Sequence, residues 1–229
     1  MLIRNLHTWD VTTRDAVALQ QEFRNLLTFD DGHLPQPIRT VAGADISYTK
    51  GSDLFFAVVL VMTFPAMDVI EEASFCARVT FPYIPGLLSF REGPPLLEAF
   101  AKIKHIPDVV IFDGQGISHP RGMGLASHLG LFLDVPTIGC AKKRLVGTHE
   151  EVGLQAGSVA DLRLDKETVG AAVRTKTNVR PVYISPGHKI GLGKAVSVAL
   201  SCCRGYRLPE PVRRAHLAVN RLRLEGTRA

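Results

Sequence analysis

The stretch "PDVVIFDGQGISHPRGMGLASHLGLFL", residues 107–133, decides the fold class that the sequence predicts. It opens with the apolar run "VVIF", which is typical of a buried strand, and this run ends at Asp113. Glycines at 114 and 116 then predict a tight turn, and a helix is expected over 121–133. A strand that leads into a helix is typical of crossover units, whose strands pair in parallel.

Upstream of this unit, three β-rich runs follow one another without an intervening helix. They predict sequence-adjacent, antiparallel strands, with a hairpin turn at "KGSD". Downstream, strand and helix patterns alternate. The expected strands are 40–49, 53–64, 67–81, 107–113, 135–140, 169–175 and 180–187, and the expected helices are 12–27, 93–103, 121–133, 191–203 and 209–223.

This pattern predicts an α/β fold with a mixed sheet, in which three antiparallel strands are followed by parallel strand–helix units. Thr12 or Thr13 can cap the first helix, and the second helix is expected to carry Pro94 and Pro95 in its first turn. No repeat, low-complexity segment or linker interrupts the chain. Residues 1–229 are therefore expected to form one domain.

Composition places the chain among ordinary globular proteins, with 46% hydrophobic and 21% charged residues. No apolar run reaches the roughly 18 residues that a membrane span needs, and the first apolar segment is too short for a secretory signal. The four cysteines show no paired spacing, so neither a disulfide nor a zinc site is expected. A cytoplasmic protein without a membrane partner is the expectation.

Positive charge is concentrated at the C-terminus. The net charge is +5, and the residues before 201 carry equal numbers of basic and acidic groups. A basic tail on a neutral body predicts an anionic partner, with nucleic acid first. A solvated, arginine-rich helix without a partner is the alternative, and composition favours the two equally. The arginines of this segment are Arg204, Arg207, Arg213, Arg214, Arg221, Arg223 and Arg228.

Three acidic residues occupy positions that need an explanation. Asp45 lies inside a strand-like run, where aspartate is depleted and where a carboxylate is costly to bury unless it is paired or holds a metal. Asp113 ends an apolar strand, at the edge where α/β sheets bind ligands. Glu92 precedes the helix expected from Pro94.

Each of these residues also has a simpler explanation. Asp45 could be an edge-strand charge, Asp113 could cap its turn, and Glu92 could complement a helix dipole. Taken singly, these explanations are favoured. Taken together, two strand-borne aspartates and a nearby glutamate form the oxygen-rich ligand set that Mg²⁺ prefers.

Five longer motifs resemble those of the endonuclease V family, in order and at similar spacing. They are "AGAD" (42–45), "PYIPGLLSFRE" (82–92), "DGQGISHPRGMGLASHLG" (113–130), "DVPTIGCAKKRL" (134–145) and "GYRLPEP" (205–211). The resemblance covers roughly residues 41 to 216. It implies a ribonuclease H-like fold, in agreement with the predicted strand order.

The resemblance also implies an activity. The expected enzyme is a monomeric, Mg²⁺-dependent endonuclease for DNA repair, in which Mn²⁺ is expected to substitute. Its partner would be nucleic acid containing deoxyinosine or inosine, whose base is hypoxanthine. It would cut the second phosphodiester bond on the 3′ side of the lesion and leave a 3′-hydroxyl and a 5′-phosphate. The implied catalytic residues are Asp45, Glu92, Asp113, His119, Lys142 and His216.

The resemblance implies a role for each of these residues, and the chemistry of the side chains supports it. Asp45 and Asp113 would bind the metal directly, and Glu92 would bind it directly or through water. Lys142 would stabilise the charge that develops on the phosphate, and His216 would orient or deprotonate the attacking water.

Three polar residues of the same region each receive a separate interpretation. His119 is expected to contact a phosphate or to support a metal ligand, and the alternative is a loop imidazole bonded to backbone. Lys142 likewise has the alternative of belonging to a solvated "KKR" run. His128, among apolar residues of a predicted helix, is expected in the core.

Substrate recognition is assigned to two turns beside the expected metal site. Pro82, Tyr83, Ile84 and Pro85 resemble the family's wedge, in which a rigid aromatic fills the gap left by an unstacked base. A tight loop with a packed tyrosine is the alternative. Glycines allow close backbone approach, so the base pocket is expected to be lined by Gly86, Leu88, Gly114 and Gly116. The alternative is that these glycines only make tight turns.

Two other functions are compatible with parts of this pattern. Another metal nuclease of the same fold, such as a junction resolvase or ribonuclease H, would use the carboxylates without needing the wedge. A non-catalytic nucleic-acid-binding protein would depend on the basic tail and would not need Asp45 in a strand.

Overall fold

A mixed sheet of eight strands organises residues 1–226, the part of the chain that the computed structural model describes. Its strands are β1 Thr40–Tyr48, β2 Leu54–Thr63, β3 Val69–Arg78, β4 Val109–Phe112, β5 Thr137–Ala141, β6 Val159–Leu164, β7 Glu167–Val173 and β8 Val182–His188. The α-helices of the same residues are α1 Thr13–Phe23, α2 Leu88–Ala101, α3 Leu125–Leu133, α4 Leu192–Ser201 and α5 Glu210–Gly226. Thr12 caps α1 by accepting a hydrogen bond from the Asp15 N–H at 3.2 Å.

The first half of the sheet has the predicted topology. The strand order is β3-β2-β1-β4-β5-β8-β7-β6, with β1, β2 and β3 antiparallel. β4 lies between β1 and β5 and pairs in parallel with both. The parallel pairing brings the carboxyl ends of β1 and β4 to the same edge of the sheet.

The second half differs from a simple continuation of parallel units. β8 pairs antiparallel with β5 and with β7, and β7 pairs antiparallel with β6, a strand that the sequence did not predict. No helix intervenes between β6, β7 and β8. Strands joined by short connections pair antiparallel, because a parallel pair needs a longer crossover.

Helix α2 begins at Leu88, five residues before the expected start at residue 93, and this changes the location of Glu92. Pro94 and Pro95 lie inside the helix, so its first-turn prolines were a wrong prediction and Glu92 is helical. Each proline removes one backbone donor from the helix. Burial of Phe90, Leu96 and other apolar side chains of α2 against the sheet and α1 offsets that loss.

The sheet is covered on both faces. Helices α4 and α5 pack on one face and α2 and α3 on the other. His128 of α3 is in the core, as predicted: it is 1% exposed, and its imidazole lies 2.9 Å from both Ser89 Oγ and His7 Nε2. Burial lowers the pKa of His128 to about 3, so the ring is neutral.

The remaining sequence expectations concern thiols and membranes. All four cysteines are free thiols. Among residues 1–226, no helix combines the length and apolar character that crossing a bilayer requires.

Candidate active site

Two aspartates come from adjacent parallel strands. Ala44 of β1 pairs with Phe112 of β4, so Asp45 and Asp113 are the next residues along the two strands. Both side chains are largely buried, with 13% and 15% of their surface exposed. One oxygen of each and a ring nitrogen of His216 all lie within 4.8 Å of one another. The structure therefore brings together three of the expected catalytic residues, two of which were expected to bind the metal.

His216 reaches this group from α5, which packs against β1. Its Nδ1 lies 2.7 Å from Asp45 Oδ2, and Asn220 Nδ2 lies 3.2 Å from its Nε2. Ser47 Oγ donates to Asn220 Oδ1, which orients the amide so that Nδ2 faces the ring. The amide nitrogen can only donate, so Nε2 is the acceptor and Nδ1 carries the proton that Asp45 receives in a hydrogen bond.

Lys142 follows β5 and pairs with the other aspartate. Its Nζ donates to Asp113 Oδ2, and its side chain is partly exposed. The backbone carbonyl of Lys142 accepts a hydrogen bond from Arg207 Nη2 at 2.6 Å. An arginine of the basic segment therefore fixes the strand end that carries the lysine.

Glu92 brings a third carboxylate toward the two aspartates. Burial, reinforced by the negative charges of Asp45 and Asp113, raises its pKa to about 8. Burial and the charge of Asp113 also raise the pKa of Asp45. The side chain of Glu92 is half-buried, and its oxygens are not part of the group within 4.8 Å.

We call Asp45, Glu92 and Asp113 the carboxylate cluster. The raised pKa values of Asp45 and Glu92 show that the positive charge nearby does not balance the carboxylates, although Lys142 pairs with Asp113. Hard oxygen donors at this spacing fit a hard divalent cation. The donor set therefore supports the expected metal site.

A cavity of about 140 Å³ opens beside the carboxylate cluster. An apolar cavity of roughly 150 Å³ is large enough to hold benzene, so this one has room for an aromatic ring. Tyr83, 65% exposed, stands at its rim. We call it the Tyr83 cavity, and its lining is Gln20, Tyr83, Ile84, Pro85, Gly86, Leu88, Ser89, Gln115, His119, Met123, Gly124, Leu125 and Leu145.

Five of the eight expected substrate-binding residues line this cavity, and three do not. Pro82 borders a different, larger groove between the N-terminal segment and the end of β3. A Cβ on Gly116 would lie 2.0 Å from the Pro186 carbonyl oxygen, and one on Gly114 would lie 3.3 Å from Leu125. These two glycines allow the turn after β4 to pack against β8 and α3, and neither is among the residues that line the cavity.

His119 lies in the wall of the Tyr83 cavity and is 4% exposed. Its Nε2 donates to the Gly86 carbonyl oxygen at 3.0 Å, and its Nδ1 accepts from the Arg121 backbone N–H at 3.2 Å. Burial and the charge of Arg121 lower its pKa to about 4, so the ring is neutral. Both ring nitrogens are occupied, which is the geometry of the alternative interpretation, a loop imidazole bonded to backbone.

Sequence analysis did not identify several residues that build this region. Gln20 and Arg121 contact the Gly86 carbonyl, Ser89 lines the cavity, and Asn220 orients His216. The sequence could have indicated the importance of Gln20, because this residue falls between Ala16 and Phe23 on the apolar face of α1. A polar residue on a buried helix face needs hydrogen-bond partners.

The arginines of the C-terminal segment have partners within the protein. Arg213 and Arg214 form ion pairs with Glu210, which is 2% exposed. Arg204 donates to backbone carbonyls, and Arg221 lies 3.4 Å from Glu72. Helix α5 packs one face on the sheet and leaves Leu217 and Arg221 exposed on the other. Arg228 lies outside the described residues.

Comparison with known proteins gives consistent matches along the chain. A family model described as Endonuclease V matches residues 21–217. A protein named Endonuclease V from Gloeobacter violaceus is 49% identical over 221 residues, which cover 95% of this chain and 89% of that protein. One from Dehalococcoides mccartyi is 48% identical over 220 residues, covering 96% of this chain and 98% of the relative.

Solved structures agree with these matches. The crystal structure of a Bacillus subtilis Endonuclease V superposes with a TM-score of 0.94 at 32% identity, covering 100% of this chain and 99% of that one. Ciona intestinalis Endonuclease V, in complex with a 23mer DNA containing an inosine followed by a ribo-adenosine, superposes with a TM-score of 0.83 at 27% identity. That alignment covers 94% of this chain and 99% of the Ciona chain.

Proposed function

Because the chain belongs to the endonuclease V family of nucleases, we propose that it hydrolyses nucleic acid at hypoxanthine, the base of deoxyinosine and inosine. The cut falls at the second phosphodiester bond on the 3′ side of the lesion and leaves a 3′-hydroxyl and a 5′-phosphate. This cut begins the repair of deaminated adenine in DNA. The Ciona relative in complex with inosine-containing DNA supports this substrate.

One observation carries the proposal: the carboxylate cluster and the Tyr83 cavity share helix α2. Leu88 lines the cavity, and Glu92 follows it by four residues on the same helix face. A nuclease without base selection would need the carboxylates but no such cavity. The proximity of the two features supports an enzyme that holds a base while its cluster acts on a nearby phosphate.

We propose that Asp45, Asp113 and Glu92 hold Mg²⁺, with Mn²⁺ able to substitute. A divalent cation held there neutralises charge on the scissile phosphate and makes a water molecule more acidic. Lys142, now paired with Asp113, is placed to stabilise the negative charge that develops on the phosphate. His216, whose Nδ1 lies 2.7 Å from Asp45 Oδ2, is proposed to orient or deprotonate the attacking water.

The Tyr83 cavity is proposed to select the base. Hypoxanthine offers an oxygen acceptor at position 6 and an N1–H donor, and it lacks the 2-amino group of guanine. The first backbone N–H groups of α2, at Leu88 and Ser89, have no partner within the helix, and both residues line the cavity. They are suited to the position 6 oxygen, while the small volume of the cavity disfavours an added amino group. Tyr83 then stacks in the gap left in the duplex.

The proposal also covers domain organisation, oligomeric state and cellular location. We propose that the chain acts as one domain, which the continuous sheet through both of its halves supports, and that it acts as a monomer. We also propose a cytoplasmic location, which the four free thiols support, because disulfides are rare in reducing compartments.

The test is cleavage of matched oligonucleotides that carry either hypoxanthine or adenine at one position, in Mg²⁺ or in chelator. We expect cleavage only with hypoxanthine and Mg²⁺ together. Equal cleavage of the adenine oligonucleotide would indicate a general nuclease. Binding without cleavage in Mg²⁺ and in Mn²⁺ would indicate a non-catalytic protein.

A further inference from the structure

The carbonyl oxygen of Gly86 accepts three hydrogen bonds from side chains. The donors are Gln20 Nε2 at 3.0 Å, His119 Nε2 at 3.0 Å and Arg121 Nη2 at 2.7 Å. Gln20 belongs to α1, and the other two belong to the loop between β4 and α3. A carbonyl oxygen has two lone pairs, so three donors are more than are needed to satisfy its hydrogen-bonding capacity. This convergence fixes the direction of one peptide in the wall of the Tyr83 cavity.

Gln20 has the most contacts of the three donors. Its Nε2 also donates to the Met123 carbonyl oxygen at 3.0 Å, and its Oε1 accepts from Arg121 Nε at 2.6 Å. The side chain is 1% exposed. Gly86 and Met123 line opposite segments of the cavity, one before α2 and one before α3. The amide of Gln20 therefore ties two walls of the cavity together.

The peptide that Gln20 holds has little other freedom. Gly86 has a φ of +81°, a left-handed conformation that glycine adopts without strain. The next N–H, from Leu87, donates to the Ile84 carbonyl oxygen at 2.9 Å. Both ends of the Gly86–Leu87 peptide are thus bonded, and α2 starts directly after it. The orientation of this peptide sets where the first N–H groups of α2 point.

We propose that Gln20 is a positioning residue that holds the cavity at the width needed to accept hypoxanthine and to exclude guanine. This inference rests on the proposed function, because it concerns the base selected at the same site. Although Gln20 borders the cavity, its amide is already bonded to Gly86, Met123 and Arg121. It acts through Gly86, Met123 and the start of α2.

Two substitutions separate positioning from a purely structural role. Gln20→Met keeps the length of the side chain and removes all three hydrogen bonds. Gln20→Glu keeps an acceptor for Arg121 but cannot donate to the Gly86 and Met123 carbonyls. Both variants should fold, because the Gly86 oxygen keeps two other donors. Gln21→Met, at the neighbouring exposed position, is the matched control.

The readout is the ratio of kcat/KM for hypoxanthine to kcat/KM for guanine in the same oligonucleotide, measured well below the melting temperature of each variant. We expect both Gln20 variants to lower this ratio about 10- to 100-fold, the scale of an ångström-level misplacement. Gln21→Met should leave it unchanged. The loss should come from faster guanine cleavage as well as slower hypoxanthine cleavage.

Three results would overturn the inference. A folded Gln20→Met or Gln20→Glu variant with an unchanged ratio would leave Gln20 with a structural role only. Failure of both variants to fold would also mean that Gln20 has a structural role only. A ratio near one in the unmutated protein would reject the proposed function itself, and the positioning role with it. The unmutated protein therefore distinguishes the two failures.

Discussion

Leu88 and Glu92 lie one turn apart on the same face of α2, so a single helix carries part of the Tyr83 cavity and part of the carboxylate cluster. The loop after β4 makes a second link, since Asp113 belongs to the cluster and Gln115 to the cavity. Two rigid connections hold the features at a constant separation. If the cavity holds the base, as proposed, this arrangement would place a particular phosphate at the cluster.

The aspartates of the cluster give the first prediction. Asp45→Asn and Asp113→Asn keep the shape of each side chain and remove its charge, so both variants should fold. Loss of cation-borne charge stabilisation should lower the single-turnover rate on the order of 10³-fold or more. Asp165→Asn, at an exposed hairpin position, is the control and should keep full activity. Near-normal turnover by a folded Asp45→Asn variant would show that Asp45 is not a metal ligand.

The raised pKa of Glu92 predicts a pH dependence of stability without cation. Its pKa is about 8 in the folded protein against an ordinary 4.5, so the folded state holds a proton that the unfolded state releases between these values. The free energy of unfolding should therefore fall as pH rises from about 4.5 to 8. Glu92→Gln, which mimics the protonated acid, should remove this part of the decline and be more stable than the unmutated protein at pH 8.

Urea unfolding in chelator at pH 5 and pH 8 measures this effect. We expect the two proteins to be similar at pH 5 and to differ by on the order of 1–3 kcal/mol at pH 8. Mg²⁺ at pH 8 should stabilise the unmutated protein more than the variant. Parallel pH profiles with no difference at pH 8 would show that the carboxylates do not crowd Glu92.

Tyr83 should matter more in duplex than in single strands. Tyr83→Ala removes the aromatic surface proposed to fill the gap in the base stack, a contribution of about 1–3 kcal/mol. Tyr83→Phe keeps that surface and should retain binding. Equilibrium binding to hypoxanthine oligonucleotides with and without a complementary strand provides the comparison. Equal losses on both substrates would leave Tyr83 with only a packing role in its loop.

The positive charges that face nucleic acid are expected near Lys142 and not along α5. Within residues 1–226, the exposed Lys143 and Arg144 side chains have no hydrogen-bond or ion-pair partner in the structure, whereas Arg221 lies near Glu72. Lys143→Gln with Arg144→Gln should reduce the slope of log binding constant against log salt by about two units. Arg221→Gln should change it by much less. A larger decrease in slope for Arg221→Gln than for the Lys143 and Arg144 double variant would place the phosphate contacts in the C-terminal segment.

Sequence analysis predicted the fold where each local pattern matched its tertiary setting. The three antiparallel strands and the parallel β4 and β5 have clear apolar patterns, and the ribonuclease H-like fold is confirmed by the Endonuclease V structures. Strand β6 was missed because its sequence "VADLRL" buries one residue only. The start of α2 was misplaced because prolines in a helix interior contradict local preference, and only tertiary packing compensates for them.

The site was predictable in its acidic residues and less so in its supporting contacts. Asp45 and Asp113 were recognisable because a carboxylate in an apolar strand is costly to bury unless it is paired or holds a metal. The close approach of Gly116 to Pro186 involves a strand about 70 positions later, and no local pattern reveals such a contact. Gln20 is likewise joined to Gly86 across 66 positions.

Mapping the product ends on a hypoxanthine duplex tests the central claim most directly. If one rigid edge of the sheet holds both base and cation, every cut must fall at one distance from the lesion. We predict a single cut in Mg²⁺, at the second phosphodiester bond on the 3′ side, with a 3′-hydroxyl and a 5′-phosphate, and no cut in chelator. Cuts scattered along the strand, or cuts that do not depend on hypoxanthine, would contradict the account.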